Sequence, residues 1–315
     1  MIFYFAPLEG LTGYIYRNAH HVFFPKGIDK YFSPFIVANQ SDSFKARELN
    51  DILPENNQGI NLIPQLLTNN ADDFVHTAKR ITQLGYGEIN LNLGCPSGTA
   101  VSKDRGAGFL AKKAELDVFL DRIFSHPFAR ISVKTRLGID RPDEFDALVE
   151  IFNKYPMGEL IIHPRVQKDL YKNEPDMNAF RTALARSKNP VCYNGDIFTT
   201  EDCKRFSDSF PDAGTVMLGR GLLMNPGLVH GLLFGIKPDK NLLYGFHEKI
   251  YEGYKGILFG EKNVLYKMKE LWSYMILGFA DNAKHMKRIK KSQTLRDYED
   301  AVSRLFQETD RMEDR

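Results

Sequence analysis

Ile89-Asn90-Leu91-Asn92-Leu93-Gly94-Cys95-Pro96 reads as a buried strand that opens into a rigid loop. The apolar run ends at Gly94, and Pro96 fixes the backbone directly after a thiol. Arg105-Gly106-Ala107-Gly108 follows, and its glycines let main chain approach a ligand closely. A cysteine held this way can be a buried structural thiol, a positioned proton donor or a nucleophile. The residues around it in the fold decide among these.

Outward from this strand, short apolar runs alternate with amphipathic ones. The expected strands are Phe3–Ala6, Lys30–Phe35, Ile60–Leu66, Glu88–Asn92, Arg130–Thr135, Leu160–His163, Pro190–Tyr193 and Val216–Leu218. Helical patterns lie between most of them, at Tyr14–Phe23, Asp72–Leu84, Glu115–Phe124, Glu144–Lys154, Asn178–Ala185 and Thr200–Ser207. Strand–helix alternation implies a parallel sheet, and eight such strands match an α/β fold of the (β/α)8 TIM-barrel type. A doubly wound sheet is the alternative, but Ala6-Pro7-Leu8-Glu9-Gly10 after the first strand is not a dinucleotide fingerprint. After about Asn241 strand signals stop, and Gly245–Leu258, Asn263–Phe279 and Leu295–Glu308 read as helices. The expected organisation is a catalytic barrel over residues 1–238 and a helical domain over 239–315, with the Pro238 region as linker.

The 315 residues carry 42 basic and 40 acidic side chains, so no global polyanion-binding charge exists and any nucleic-acid surface is a local patch. Cys95, Cys192 and Cys203 are too few and too scattered for a disulfide framework, and no Cys/His spacing suits a metal. Reduced thiols, an N-terminus unlike a signal peptide and no long apolar run lead to the expectation of a cytoplasmic protein without membrane contact. A monomer without an obligate protein partner is expected.

Polar residues recur at the carboxyl ends of the expected strands, where barrel enzymes place their chemistry. They are Pro7-Leu8-Glu9, Gln65, Asn92 with Cys95, Lys134-Thr135-Arg136, His163 with Arg165, Asn194-Gly195-Asp196 and Gly219-Arg220-Gly221. A lone His163 is more often a hydrogen-bonded core histidine, and Lys134 alone could be a solvated strand end. Seven coincident strand ends point to a shared anionic ligand, because buried Lys and Arg are rare without a partner. The last two segments offer backbone N–H donors and an arginine fork suited to a phosphate. Lys134 would lie near the middle, either against a reduced flavin ring or as a second phosphate-binding cation; spacing does not separate the two.

These pieces resemble the tRNA-dihydrouridine synthases, flavin-dependent RNA-modifying enzymes. The resemblance rests on Ala6-Pro7-Leu8-Glu9-Gly10, Gln65-Leu66, Asn92-Leu93-Gly94-Cys95-Pro96-Ser97, Arg105-Gly106-Ala107-Gly108, Val133-Lys134-Thr135-Arg136, Ile162-His163-Pro164-Arg165, Asn194-Gly195-Asp196-Ile197 and Met217-Leu218-Gly219-Arg220-Gly221. Lys267-Met268-Lys269-Glu270-Leu271-Trp272-Ser273-Tyr274 is similar to the bacterial branch that acts on uridine 16. The chain departs from the family at Leu8, where Met is usual, at Pro164, where Gly is usual, and at Val166, where Thr is usual. Pro164 removes an amide donor.

The resemblance implies bound FMN reduced by NADPH, hydride transfer to C6 of a uracil in tRNA, and protonation of C5 by Cys95, the catalytic residue. It also implies that Pro7, Leu8, Glu9, Gln65, Lys134 and His163 hold the flavin, with Asn194, Gly195, Asp196, Gly219 and Arg220 at its phosphate end. Asn92, Arg136 and Tyr171 are the candidates for the uracil edge. The target base must leave the RNA stack to react, at a cost of a few kcal/mol. Residues 262–291 carry eight basic side chains against two acidic ones, a net of +6, with Lys267 and Lys269 as candidate RNA contacts. Tyr266, Trp272 and Tyr274 are interleaved and could stack on bases or pack a core. Two other readings stand beside this one: a flavin oxidoreductase of a free pyrimidine, similar to dihydroorotate dehydrogenase, and a non-catalytic RNA-binding protein on an enzyme scaffold.

Overall fold

The computed structural model describes residues 1–127 and 129–309. Ten parallel strands form one sheet: β1 Ile2–Phe5, β2 Lys30–Phe32, β3 Ile36–Val37, β4 Leu62–Ile63, β5 Gln65–Leu67, β6 Glu88–Leu93, β7 Arg130–Arg136, β8 Leu160–His163, β9 Val191–Tyr193 and β10 Thr215–Leu218. They are ordered β3-β5-β6-β7-β8-β9-β10-β1-β2-β4. The two ends of that order are pieces of adjacent strands. Ser33-Pro34-Phe35 separates β2 from β3, and Pro64 alone separates β4 from β5. Proline gives no N–H to a ladder, so pairing breaks there. Ser33 spans the break: its N–H donates to Ile63 O at 3.1 Å and its hydroxyl accepts from Gln65 N at 3.1 Å. The β2–β4 and β3–β5 pairs are therefore two stretches of one strand pair, and the eight strand paths expected from the sequence return on themselves as an α/β barrel.

Alternation along the strands sets what fills the interior. Tyr4, Ala6, Phe32, Ile63, Ile161, Cys192 and Met217 form one buried apolar cluster. Two residues further along their strands stand His163 and Asn194, so the lining turns polar at the carboxyl ends. At the amino ends Lys30 pairs with Glu88 at 2.8 Å, and Tyr4 Oη donates to Glu159 Oε1 at 3.1 Å.

The chain divides into two compact units. The first comprises residues 1–9, 29–196 and 207–218 and holds the whole sheet; the second comprises 10–28, 197–206 and the chain from Gly219 on. The helical stretch expected from 239 lies in the second unit, with residues 310–315 outside the described residues. Its main helices are Lys240–Ile257, Glu261–Met275, Asn282–Lys291 and Leu295–Glu308, joined by Tyr14–Phe23. Helix Asn282–Lys291 is not among the expected elements; its only buried residues are His285 and Ile289, too sparse an apolar stripe to read from sequence. Helix Leu295–Glu308 starts on a capping box, with Thr294 Oγ1 accepting from Asp297 N at 3.1 Å and Asp297 Oδ2 from Thr294 N at 3.0 Å.

Trp272 is fully buried in this unit. Its Nε1–H donates to Tyr298 Oη at 2.7 Å, and the same hydroxyl meets His247 Nε2 at 2.6 Å. A buried indole or phenol hydroxyl needs such a partner. Trp272 is thus core rather than a base-stacking surface, whereas Tyr266 is 73% exposed. Among the described residues no helix is long and apolar enough to cross a membrane.

Candidate active site

Pro7, Leu8, Glu9, Gln65, Asn92, Cys95, Lys134, Arg136, His163 and Tyr171, chosen from sequence, line one cavity of about 110 Å³ at the carboxyl ends of the strands. Phe35, Gly94 and Pro96 complete its wall. Strand register explains the convergence: Gln65 stands opposite Asn90, Asn92 opposite Lys134, and Arg136 opposite His163.

A ladder of side-chain amides positions the thiol. Asn90 Nδ2 donates to Ser132 Oγ at 3.0 Å, Gln65 Nε2 to Asn90 Oδ1 at 2.7 Å, and Asn92 Nδ2 to Gln65 Oε1 at 2.7 Å. Asn92 Oδ1 then accepts from Gly94 N at 3.0 Å and Cys95 N at 2.9 Å, a turn stabilised by its own side chain. Gly106 closes on the other side. Its φ is +57°, and a Cβ there would stand 2.8 Å from Cys95 O. Only glycine adopts this conformation at this separation without strain. Ala107 N donates to Cys95 O at 3.0 Å. Cys95 Sγ itself remains partly exposed and lies 3.4 Å from Ser97 Oγ, whereas Cys192 and Cys203 are buried. The cysteine is therefore an accessible thiol on a fixed backbone, not a core residue.

Arg136 is 1% exposed and spends its donors on main chain: Nε to Gly94 O at 3.1 Å, Nη1 to Val166 O at 2.8 Å and Nη2 to Leu170 O at 2.7 Å. It draws the 166–170 segment over the site, with its guanidinium 5.3 Å from the Tyr171 ring centroid. Leu170 takes a left-handed φ of +52° within that segment. Glu9 is paired with Arg47 at 2.7 Å, and burial pushes its carboxyl up against the pull of that partner.

Lys134 has no such partner. No hydrogen bond or ion pair among the described residues engages its ammonium. Burial, followed by the neighbouring Arg136 guanidinium, pushes it down to about 8. A recessed cation left unsatisfied in a cavity wall fits an electron-rich or anionic ligand.

The other candidates lie outside the lining. Asn194 Nδ2 donates to Met217 O at 2.8 Å. The Asp196 carboxylate is held by both Nη groups of Arg165. Gly219 and Arg220 belong to the second unit, where the Arg220 guanidinium lies 5.3 Å from the Phe198 ring centroid. Lys267 and Lys269 are committed within that unit, Lys267 to Gly10 O and Glu270, and Lys269 to Ser292 O at 2.5 Å. Each ammonium thus has a partner within the protein, and both side chains are half-buried. Lys284 and Arg288 are paired with Glu308, while Lys262, Lys287, Lys290 and Lys291 are exposed and unpaired among the described residues. The sequence marks Arg165 as a strand-end charge but gives it no role in the site. Among the described residues, no group of three or more His, Cys, Asp or Glu side chains could hold a metal ion.

The family model for dihydrouridine synthase matches residues 5–313. The chain is 31% identical over 233 residues to the tRNA-dihydrouridine(16) synthase of Pseudomonas putida, covering 71% of this chain and 70% of that one. It is 24% identical over 244 residues to tRNA-dihydrouridine synthase B of Pasteurella multocida, covering 76% and 71%. Among solved structures, morphinone reductase superposes with a TM-score of 0.51 at 12% identity, covering 76% of this chain and 88% of the other. A variant of NCR from Zymomonas mobilis superposes at 0.52 and 14% identity, covering 78% and 90%. Both share the fold.

The amide ladder makes Asn92 structural as well as site-lining. Asn92→Ala removes the acceptor for the amides of Gly94 and Cys95 and the donor to Gln65 Oε1. Denaturant unfolding should show a loss on the order of 1–3 kcal/mol, with a changed rate of Cys95 alkylation. Unaltered stability and alkylation would contradict the ladder.

Proposed function

The chain belongs to the dihydrouridine synthase family and reduces uridine in tRNA to 5,6-dihydrouridine, and we propose that Cys95 and Lys134 divide the chemistry of its cavity between them. The observation that carries this reading is one cavity wall holding an accessible thiol on a rigid turn and an unpartnered ammonium. When bound, FMN reduced by NADPH would supply hydride chemistry toward C6 of the uracil. Cys95 gives its proton to C5, so the new C–H bonds at C5 and C6 complete the reduction and the thiol regains its proton from solvent. Lys134 would hold the electron-rich ring edge of the flavin, with Gln65 and His163 as neighbours and Pro7, Leu8 and Glu9 supporting it. Asn194, Gly195 and Asp196 would take the phosphate end. Asn92 retains one amide hydrogen for the uracil edge; Arg136 shapes the base site through the segment it anchors, and Tyr171 supplies an aromatic face.

In this reading the barrel and the helical segment from 239 on are the catalytic and RNA-binding parts. The RNA cations would be Lys262, Lys287, Lys290 and Lys291, which are exposed, beside the half-buried Lys267 and Lys269. Similarity to the Pseudomonas putida enzyme favours uridine 16 as the position reduced.

Cys95→Ala should retain flavin and its reduction by NADPH, while dihydrouridine formation on matched tRNA, read by nucleoside mapping, falls by at least about 100-fold; wild-type turnover would refute the proton-donor role. Flavin bound against Lys134 favours its charged form, so the complex takes up a proton above the free value of about 8. Affinity, measured by fluorescence quenching, should therefore decline above that pH, approaching tenfold per unit. Lys134→Met should bind more weakly at neutral pH and lose the decline; a native affinity flat through that range would remove Lys134 from the ring. Replacing Lys287, Lys290 and Lys291 together by Ala should weaken tRNA binding and reduce the log–log salt slope by roughly 0.7–0.9 for each phosphate no longer neutralised. An unchanged slope would place the RNA elsewhere.

A further inference from the structure

Arg165 is 2% exposed and uses its guanidinium on three different segments. Nε donates to Asn173 O at 2.6 Å, Nη1 donates to Asp196 Oδ1 at 3.0 Å, and Nη2 completes the fork on Asp196 Oδ2. Nη1 also stands 2.9 Å from His163 Nε2. A guanidinium has donors only and keeps its charge. The imidazole nitrogen facing it must therefore be the acceptor, and the ring's proton resides on Nδ1.

We propose that Arg165 is a positioning residue that fixes His163 as the neutral Nδ1–H tautomer and ties the strand end carrying it to the 194–196 loop through Asp196. His163 then adds no charge at the cavity wall, and the cation available to a ligand is Lys134. The surrounding groups oppose protonation of the ring. Arg165 faces it from its own segment, Arg136 stands beside it in register on β7, and Lys134 shares the cavity. The Asp196 carboxylate is engaged by Arg165, Glu9 is paired with Arg47, and Cys95 and Tyr171 complete the titratable groups lining the cavity. The Tyr171 ring centroid lies 6.0 Å from that of His163. The consequence for flavin rests on the function proposed above; the tautomer does not.

Histidine side-chain ¹⁵N NMR of the flavin-free full-length protein reads the tautomer directly, with His163→Asn identifying the signals. The native ring should show a protonated Nδ1 and an unprotonated Nε2, unchanged from pH 8 to below the point near 6.5 where an unrestrained imidazole titrates. In Arg165→Met the same ring should titrate near that pH and populate both tautomers, and flavin affinity, read separately by fluorescence quenching, should drop about tenfold. Arg165→Lys, which restores one donor, should recover part of the native pattern. A native His163 carrying its proton on Nε2, or titrating like a free imidazole, would overturn the proposal without need of any Arg165 variant. A native ring of the expected tautomer in a protein that takes up no flavin would support the role of Arg165 while refuting the cofactor reading of the cavity.

Discussion

Asn92 Oδ1 accepts the main-chain hydrogens of both Gly94 and Cys95, and the rest of the site depends on that turn. Its carboxamide is itself held by Gln65, which is held by Asn90, which rests on Ser132. Three strands thus contribute to the placement of one thiol. Each polar atom in the ladder is buried, where a missing partner costs far more than at the surface. Gly106 presses from the opposite side at a separation no side chain tolerates. The result is a cysteine whose backbone cannot drift while its sulfur stays accessible.

The same strand ends show how a barrel concentrates charge. Arg136, Arg165 and Lys134 lie within one short stretch of the interior surface, where like charges raise one another's cost. Arg136 is satisfied by three carbonyls, and Arg165 by a carboxylate, a carbonyl and an imidazole. Lys134 is left over, and its depressed affinity for protons records the imbalance. An electron-rich ligand would remove it, which is the ground for proposing this ammonium, rather than either arginine, as the binding position. The two arginines instead order the loops that wall the cavity.

The barrel and ten cavity-lining residues are legible in the sequence because strand alternation is local and parallel strands align their carboxyl ends. The interruptions at Pro34 and Pro64 are harder to read, although both prolines stand in the sequence; the compensating Ser33 hydroxyl depends on strand pairing. The bonds of Lys267 to Gly10 O and of Lys269 to Ser292 O join residues distant in the chain to carbonyls with no side-chain signature, so only the fold shows them. Arg165 is visible as a strand-end charge, but its function lies in contacts to His163, Asn173 and Asp196 that only the fold supplies. Trp272 sits amid basic residues yet is enclosed, because its i, i+3 and i+4 neighbours place it on the apolar face of its helix.

In the proposed function, Lys134 and Cys95 address one flavin-bearing cavity from different positions on its wall. A crystal structure of the protein grown with FMN tests it most directly. The isoalloxazine ring should lie against Lys134, Gln65 and His163, with the sulfur of Cys95 across a gap that admits a flat pyrimidine. A flavin bound away from Lys134, or one packed so closely on Cys95 that no base could enter, would contradict it.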